Sequence, residues 1–193
     1  MTMKSLFLAS ASPRRRELLA QLGLSFEVVV RPVDESGYEY LKPPERVEKL
    51  AGAKARAVAA ELAGGLVLGA DTLVACGGRV LGKPPTPAAA RQMLLQLAGR
   101  RHLVYTGVAL VDAAGHRMET AHAETAVFLR DMGEGEIDRY VATGEPLDKA
   151  GAYAVQGLGA VFVTAIEGSY SNVVGLPLHL VADMLHQFGL EVI

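Results

Sequence analysis

Apolar residues recur along this chain in two rhythms, and the alternation between them predicts its elements. Near-continuous apolar runs at Lys4–Ala9, Phe26–Val30 and Leu66–Ala70 read as buried strands. Helical spacing predicts a helix over Pro13–Leu22, opened by Ser12 and Pro13 and stopped at Gly23. Arg31–Pro44 is polar and proline-punctuated, a surface loop. A long helix over Glu45–Ala63 follows, with Val47, Leu50, Ala51, Val58 and Leu62 on one stripe and Gly64-Gly65 ending it. Thr72–Lys83 reads as a hairpin turning at Gly77-Gly78. Further on, helices are expected over Pro87–Leu97, Gly133–Val141 and Leu178–Phe188, and strands over His102–Val111, Met118–Leu129 and Ala160–Ile166. The sum is a mixed α/β sheet flanked by helices, without internal repeats.

Composition narrows the class. With 193 residues, half of them hydrophobic and 21% charged, the chain can bury one core, so a single domain over residues 1–193 is expected, compatible with two lobes on one shared sheet. A formal charge of −2 provides no overall field for nucleic acid or acidic membrane, so any anion must be met by a local cluster. The lone Cys76 cannot close an intramolecular disulfide, and Met1–Leu8 lacks the features of a signal peptide. No apolar stretch approaches the roughly 20 residues of a membrane span. A soluble, cytoplasmic protein is expected.

Against this background a few polar positions stand out. In Ser10-Ala11-Ser12-Pro13-Arg14-Arg15-Arg16, three cations crowd the electropositive first turn of a helix, where each loses roughly 0.3–1 kcal/mol unless an anion is present. Arg15 aligns with Leu18, Leu19 and Leu22 and so faces partly inward. With the Ser10 and Ser12 hydroxyls and free backbone N–H groups it either completes a phosphate socket or bridges to an acid such as Glu17 in a solvated turn. Lys54 lies on the apolar stripe of the long helix, where an ammonium either finds a partner or snorkels. Asp71-Thr72 stands where the apolar run Leu66–Ala70 stops. A carboxylate beyond a strand end can hold a divalent cation or take a proton from water, or it can serve as a turn residue. Glu35, in the polar loop, is a second acidic candidate.

Other chemistries fit poorly. Gly77–Lys83 has most of a P-loop pattern, but Pro84 has neither the hydroxyl for Mg²⁺ nor an N–H for phosphate and disfavours a helix there; Lys83 can still reach an anion from a hairpin. His102, His116, His122, His179 and His186 form no zinc pattern. Gly168–Pro177 is a glycine-rich loop without dinucleotide spacing, and the polar segment Thr143–Gln156 matches no metal or nucleophile motif.

Taken together, Leu8-Ala9-Ser10-Ala11-Ser12-Pro13-Arg14-Arg15, Gly69-Ala70-Asp71-Thr72, Gly82-Lys83-Pro84, Thr143-Gly144-Glu145-Pro146, Asp148–Tyr153 and Asn172–Pro177 make the chain resemble, end to end, the Maf family of nucleoside triphosphate pyrophosphatases. The resemblance implies an elongated two-lobed fold related to inosine triphosphate pyrophosphatases, a nucleotide held in a central cleft, a homodimer and a divalent metal, Mg²⁺ or Mn²⁺. By that likeness Asp71 is the general base, Ser10, Arg15, Lys54 and Lys83 hold phosphates, and Glu35 joins Asp71 at the metal. Arg14, Thr72 and Gln156 resemble the branch that takes dTTP and UTP, and an amide at Gln156 can pair with a pyrimidine's adjacent donor and acceptor. The expected reaction yields a nucleoside monophosphate and diphosphate. Two alternatives stay open: nucleotidyl transfer, because a strand-loop-helix with an early Arg also cradles a triphosphate in such enzymes, and, by the likeness, a binding role in inhibiting septum formation.

Overall fold

The computed structural model describes residues 5–115 and 117–193. Met1–Lys4, which include the first residue of the first expected strand, and His116 lie outside the described residues. The strands are β1 (Leu6–Leu8), β2 (Phe26–Val28), β3 (Leu66–Cys76), β4 (Arg79–Leu81), β5 (Arg101–Asp112), β6 (Met118–Leu129) and β7 (Val163–Glu167). The helices are α1 (Pro13–Ala20), α2 (Pro43–Ala59), α3 (Pro87–Leu97), α4 (Glu134–Ala142), α5 (Tyr170–Val174) and α6 (Leu178–Gln187). The seven strands form one mixed sheet in the order β2-β1-β3-β5-β6-β7, with β4 paired to β3. Strands β1, β2 and β3 run parallel, whereas β4 and β7 are antiparallel to their neighbours. The expected mixed α/β sheet is therefore the fold observed.

The chain divides into two compact units, the division falling within β3, β5 and β6 and after Val174 at the end of α5. The first comprises residues 1–71, 106–123 and 175–193; the second comprises 72–105 and 124–174.

In the first unit, Val47, Leu50, Ala51 and Val58 of the expected α2 stripe are buried, whereas Leu62 lies past the helix end and is partly buried; Ala51, Val58 and the further buried Ala55 and Ala59 cluster with Ala9, Val67, Ala109 and Val111. Two glycines let this helix lie close on the sheet. A Cβ at Gly69 on β3 would stand 2.3 Å from the Ala51 carbonyl oxygen, and one at Gly107 on β5 would stand 2.3 Å from the Val47 carbonyl. Both obstacles are backbone, which cannot swing aside, so only glycine fits. α2 opens at Pro43, two residues before the expected start, because prolines tolerate the first turn, where an N–H has no helical acceptor. It ends at Ala59, before the expected Ala63.

The second unit has its own core, in which Leu94 and Leu97 of α3, Ile137 and Tyr140 of α4, Val104, Val127, Tyr153 and Phe162 are buried. The hairpin turns at Gly77 and Gly78, both with positive φ (56° and 78°), the backbone that a two-residue turn between twisted strands requires. Residues 160–162 depart from expectation. They belong to a 3₁₀ turn over Gly157–Phe162, and β7 begins only at Val163. The Glu145 carboxylate accepts from the N–H groups of Leu158 and Gly159, so the turn's opening donors are held by a side chain rather than by a neighbouring strand. Within the glycine-rich loop lies the unexpected short helix α5, where the buried Asn172 donates through Nδ2 to the Val104 carbonyl and to Thr125 Oγ1.

Candidate active site

The site begins at the carboxyl end of β1. The ladder between β1 and β3 closes at Leu8 and Leu68, after which the chain leaves through Ala9 and Ser10 into α1. β3 itself continues to Cys76, so Asp71 does not follow a strand, as its position after the apolar run suggested, but lies within one. The apolar run ends at Ala70, but the strand that contains it does not. What ends at that level is the neighbour β1, and Asp71 extends beyond its last ladder pair. The carboxyl end beyond which these polar side chains gather is therefore that of β1.

α1 starts as predicted, with Ser12 as its cap; its Oγ accepts from the Arg15 N–H at 3.5 Å. Arg15 faces inward. Its Nε donates to the Gly175 carbonyl at 2.8 Å, and its Nη1 donates to the Ala70 carbonyl at 2.9 Å and to Ser10 Oγ at 3.2 Å. None of these three acceptors is an acid. Burial lowers the pKa of the guanidinium below the usual arginine value, with Asp71 and Glu35 pulling it up and Arg14 pushing it down. It remains charged at any working pH, and Ser10, only 7% exposed, sits beside it.

Lys54 resolves the other ambiguity. It does not snorkel: Nζ lies 2.7 Å from Asp71 Oδ1 and 2.7 Å from Glu35 Oε1. The two pairs are unequal. The Asp71 side chain is 14% exposed and the Glu35 side chain 55%, and largely solvated pairs contribute only about 0–1 kcal/mol. The Lys54–Asp71 contact therefore dominates, while Glu35 is a more exposed second carboxylate brought in by the loop. Asp34 shapes that loop by accepting from the Ser36 N–H at 2.9 Å.

Ser10, Arg15, Glu35, Lys54 and Asp71 are thus gathered in the first unit. Arg14 is half-buried next to Arg15, and Arg16 is exposed. Thr72 follows Asp71 on β3 and is half-buried. Lys83 and Gln156 belong to the second unit, where both are exposed. There the Gly82 carbonyl accepts from the Gly151 N–H at 3.1 Å, which ties the Lys83 segment to the turn after Lys149. Two members of the site have no chemical mark in the sequence, the main-chain carbonyls of Ala70 and Gly175 that aim Arg15, although both residues lie in segments that carry the family resemblance. Main-chain oxygens are the same in every residue; only Gly175, with φ 127°, hints at a special backbone.

The donor chemistry suits a hard cation: two carboxylate oxygens converge on one positive group, the pattern completed by substrate phosphates when Mg²⁺ is bound. Among the described residues, no group of three or more His, Cys, Asp or Glu side chains converges to ligate a metal without such help.

Beyond the carboxyl end of β1 this α/β chain gathers the Asp71 and Glu35 carboxylates, the Arg15 guanidinium and the Lys54 ammonium, brought there by a strand, a loop and two helices. The chain belongs to the family described as Maf-like protein, whose model matches residues 5–188. It is 61% identical over 190 residues to the dTTP/UTP pyrophosphatase of Moorella thermoacetica, covering 98% of each chain. It is 57% identical over 191 residues to the dTTP/UTP pyrophosphatase of Pelotomaculum thermopropionicum, covering 99% of this chain and all of that one. Among solved structures, the Ham1 protein of Staphylococcus aureus is similar with a TM-score of 0.49 at 14% identity, over 83% of this chain and 80% of that chain. No helix among the described residues is long and apolar enough to cross a membrane.

Proposed function

We propose that this protein is a nucleoside triphosphate pyrophosphatase that hydrolyses dTTP and UTP to the monophosphate and diphosphate. The observation that carries the reading is Lys54 Nζ held at 2.7 Å by both Asp71 and Glu35, beside an inward-facing Arg15. Such a concentration of charge is costly to gather in a folded chain unless a ligand uses it. The high identity to relatives named for this substrate pair supports the choice of nucleotide.

Asp71 accepts a proton from water at its carboxylate, and the water oxygen bonds to the α-phosphorus. The bond from that phosphorus to the α–β bridging oxygen breaks, and diphosphate departs. Lys54 orients Asp71 by holding Oδ1 at 2.7 Å. Ser10, Arg15, Lys54 and Lys83 hold the phosphates, and fixed positive groups there offset charge developing on the leaving diphosphate. Asp71 and Glu35 would hold a divalent cation, whose chemistry is to neutralise phosphate charge and acidify water. Arg14, Thr72 and Gln156 select the base.

The test is product analysis with UTP and Mg²⁺ or Mn²⁺, without any acceptor, in the parent and in Asp71→Asn. Monophosphate and diphosphate in equal amounts are expected, with turnover falling roughly 10²- to 10⁴-fold in the variant while nucleotide still binds. Dependence on a sugar-phosphate acceptor would instead indicate nucleotidyl transfer, and unchanged turnover would remove Asp71 from the base role.

A further inference from the structure

The segment Ala154–Gly159 is held at both ends by one pair of side chains, with Gln156 between the anchors. Tyr140, on α4 and 4% exposed, accepts at Oη from the Ala154 N–H at 3.2 Å and donates to Glu145 Oε1 at 2.9 Å. Glu145 then accepts from the Leu158 N–H through Oε2 at 3.0 Å and from the Gly159 N–H through Oε1 at 2.9 Å. Both members are themselves fixed. The Tyr140 ring meets Phe162 edge-on at 5.0 Å. The Glu145 backbone donates to Thr143 Oγ1 at 3.2 Å, and its carbonyl accepts from Lys149 Nζ at 2.6 Å.

The two glycines after Gln156 are what allow the closure. A Cβ at Gly157, where φ is 73°, would stand 2.6 Å from Glu145 Oε2, and one at Gly159 would stand 2.5 Å from Tyr140 Oη. Burial works to raise the Glu145 pKa, but the N–H groups of Leu158 and Gly159, the Tyr140 hydroxyl and Lys149 outweigh it and hold the carboxyl below its ordinary value. The carboxylate is therefore ionised at neutral pH, the state that accepts all of these hydrogen bonds.

We propose that Tyr140 and Glu145 are positioning residues that fix the place of Gln156 and thereby set the choice of nucleobase. The inference rests on the reading of Gln156 as a base-selecting residue. An exposed glutamine carries a donor and an acceptor on a flexible stem, so it discriminates uracil from cytosine only if its backbone is held still. The hydrogen bonds at Ala154, Leu158 and Gly159 supply that restraint from either side, without themselves contacting the base.

The experiment compares kcat/KM for UTP and CTP in the parent, Gln156→Ala, Tyr140→Phe, Glu145→Gln and the double variant Tyr140→Phe/Gln156→Ala, each checked for folding by its thermal transition. Tyr140→Phe keeps the ring on Phe162 and removes only the hydroxyl. It is expected to cut the UTP-to-CTP preference about tenfold, with Glu145→Gln acting in the same direction. The double variant is expected to show no preference loss beyond that of Gln156→Ala, because the clamp acts only through that residue. If Gln156→Ala lowers the preference while folded Tyr140→Phe leaves it unchanged, the clamp is overturned and the base-selecting role stands. If Gln156→Ala itself leaves the preference unchanged, the base-selecting role falls. Additive losses in the double variant would reduce Tyr140 and Glu145 to general structural support.

Discussion

At the single residue Arg15, geometry and charge act together. Its guanidinium reaches the Gly175 carbonyl, the Ala70 carbonyl and Ser10 Oγ at once, which a planar fork can do and a point charge on a flexible stem cannot. Arg15→Lys keeps the charge but loses the fork. Hydrogen bonds to charged groups contribute roughly 1.5–3 kcal/mol each, so a drop of at least that size is expected in urea unfolding, together with a raised KM for UTP. A variant with parent-like stability and KM would show the fork to be dispensable. Lys54→Met, which retains the stem, is expected to lower kcat/KM by about tenfold or more, a loss of about 1.4 kcal/mol, with KM raised. A normal KM would confine Lys54 to an internal ion pair. Both residues were legible in the sequence because each is a cation on an apolar stripe. Their acceptors were legible only in part: Asp71 and Glu35 stood out as acids, but nothing in the letters Ala70 and Gly175 marks a carbonyl that aims an arginine.

At the scale of elements, α2 is the piece that carries Lys54 to β3, and its approach is set from below by glycines. Helical spacing revealed the helix and its buried face, since side-chain periodicity is a local property. It could not reveal that Gly69 and Gly107 set the helix-to-sheet distance, because that depends on strands remote in sequence. Gly107→Ala would push a methyl to 2.3 Å from the Val47 carbonyl. Overpacking against backbone costs about 1–3 kcal/mol or more, so a lower denaturant midpoint is expected, with reduced activity as Lys54 is carried away from Asp71. Gly135→Ala is the opposite case. Gly135 is inside α4, and an added methyl there meets only Arg139 Nη1 at 3.6 Å. The substitution is expected to stabilise by about 0.5–1 kcal/mol. Destabilisation by both would mean that loss of glycine flexibility, and not close approach, governs position 107. The same locality explains why Ala160–Phe162 is not strand: its apolar letters suit one, but the segment ends a 3₁₀ turn whose opening N–H groups, at Leu158 and Gly159, are held by the Glu145 carboxylate from outside the segment.

For the molecule as a whole, the order of elements and the mixed sheet could be anticipated from the sequence, whereas the burial of single polar groups could not. That burial governs how stability responds to acid. His102 reads from sequence as one of several unremarkable histidines, yet it is 2% exposed, with Nε2 2.7 Å from Tyr153 Oη. Burial pushes its imidazole from the ordinary 6.5 down to about 4, against a smaller upward pull from the Arg100 backbone. In the folded state His102 is therefore neutral at pH 5, whereas in the unfolded chain it has gained a proton. Its contribution is complete above the ordinary pKa of 6.5 and is lost as pH falls toward 4. Between pH 7 and pH 5 the loss is about 2 kcal/mol, at about 1.36 kcal/mol for each pH unit over which only the unfolded chain holds that proton. The carboxylates held below their ordinary values, such as Glu61, Glu136 and Glu145, contribute in the same direction, but mainly below the ordinary carboxylate value of 4.5. The interval from pH 7 to 5 therefore separates His102 from these carboxylates, and the His102 variant separates it from the other histidines. Urea unfolding at pH 7, 6 and 5 is expected to show a declining free energy in the parent, and His102→Gln, whatever its stability at pH 7, is expected to flatten that decline. Equal slopes in the two proteins would exclude His102 as the source of the acid sensitivity.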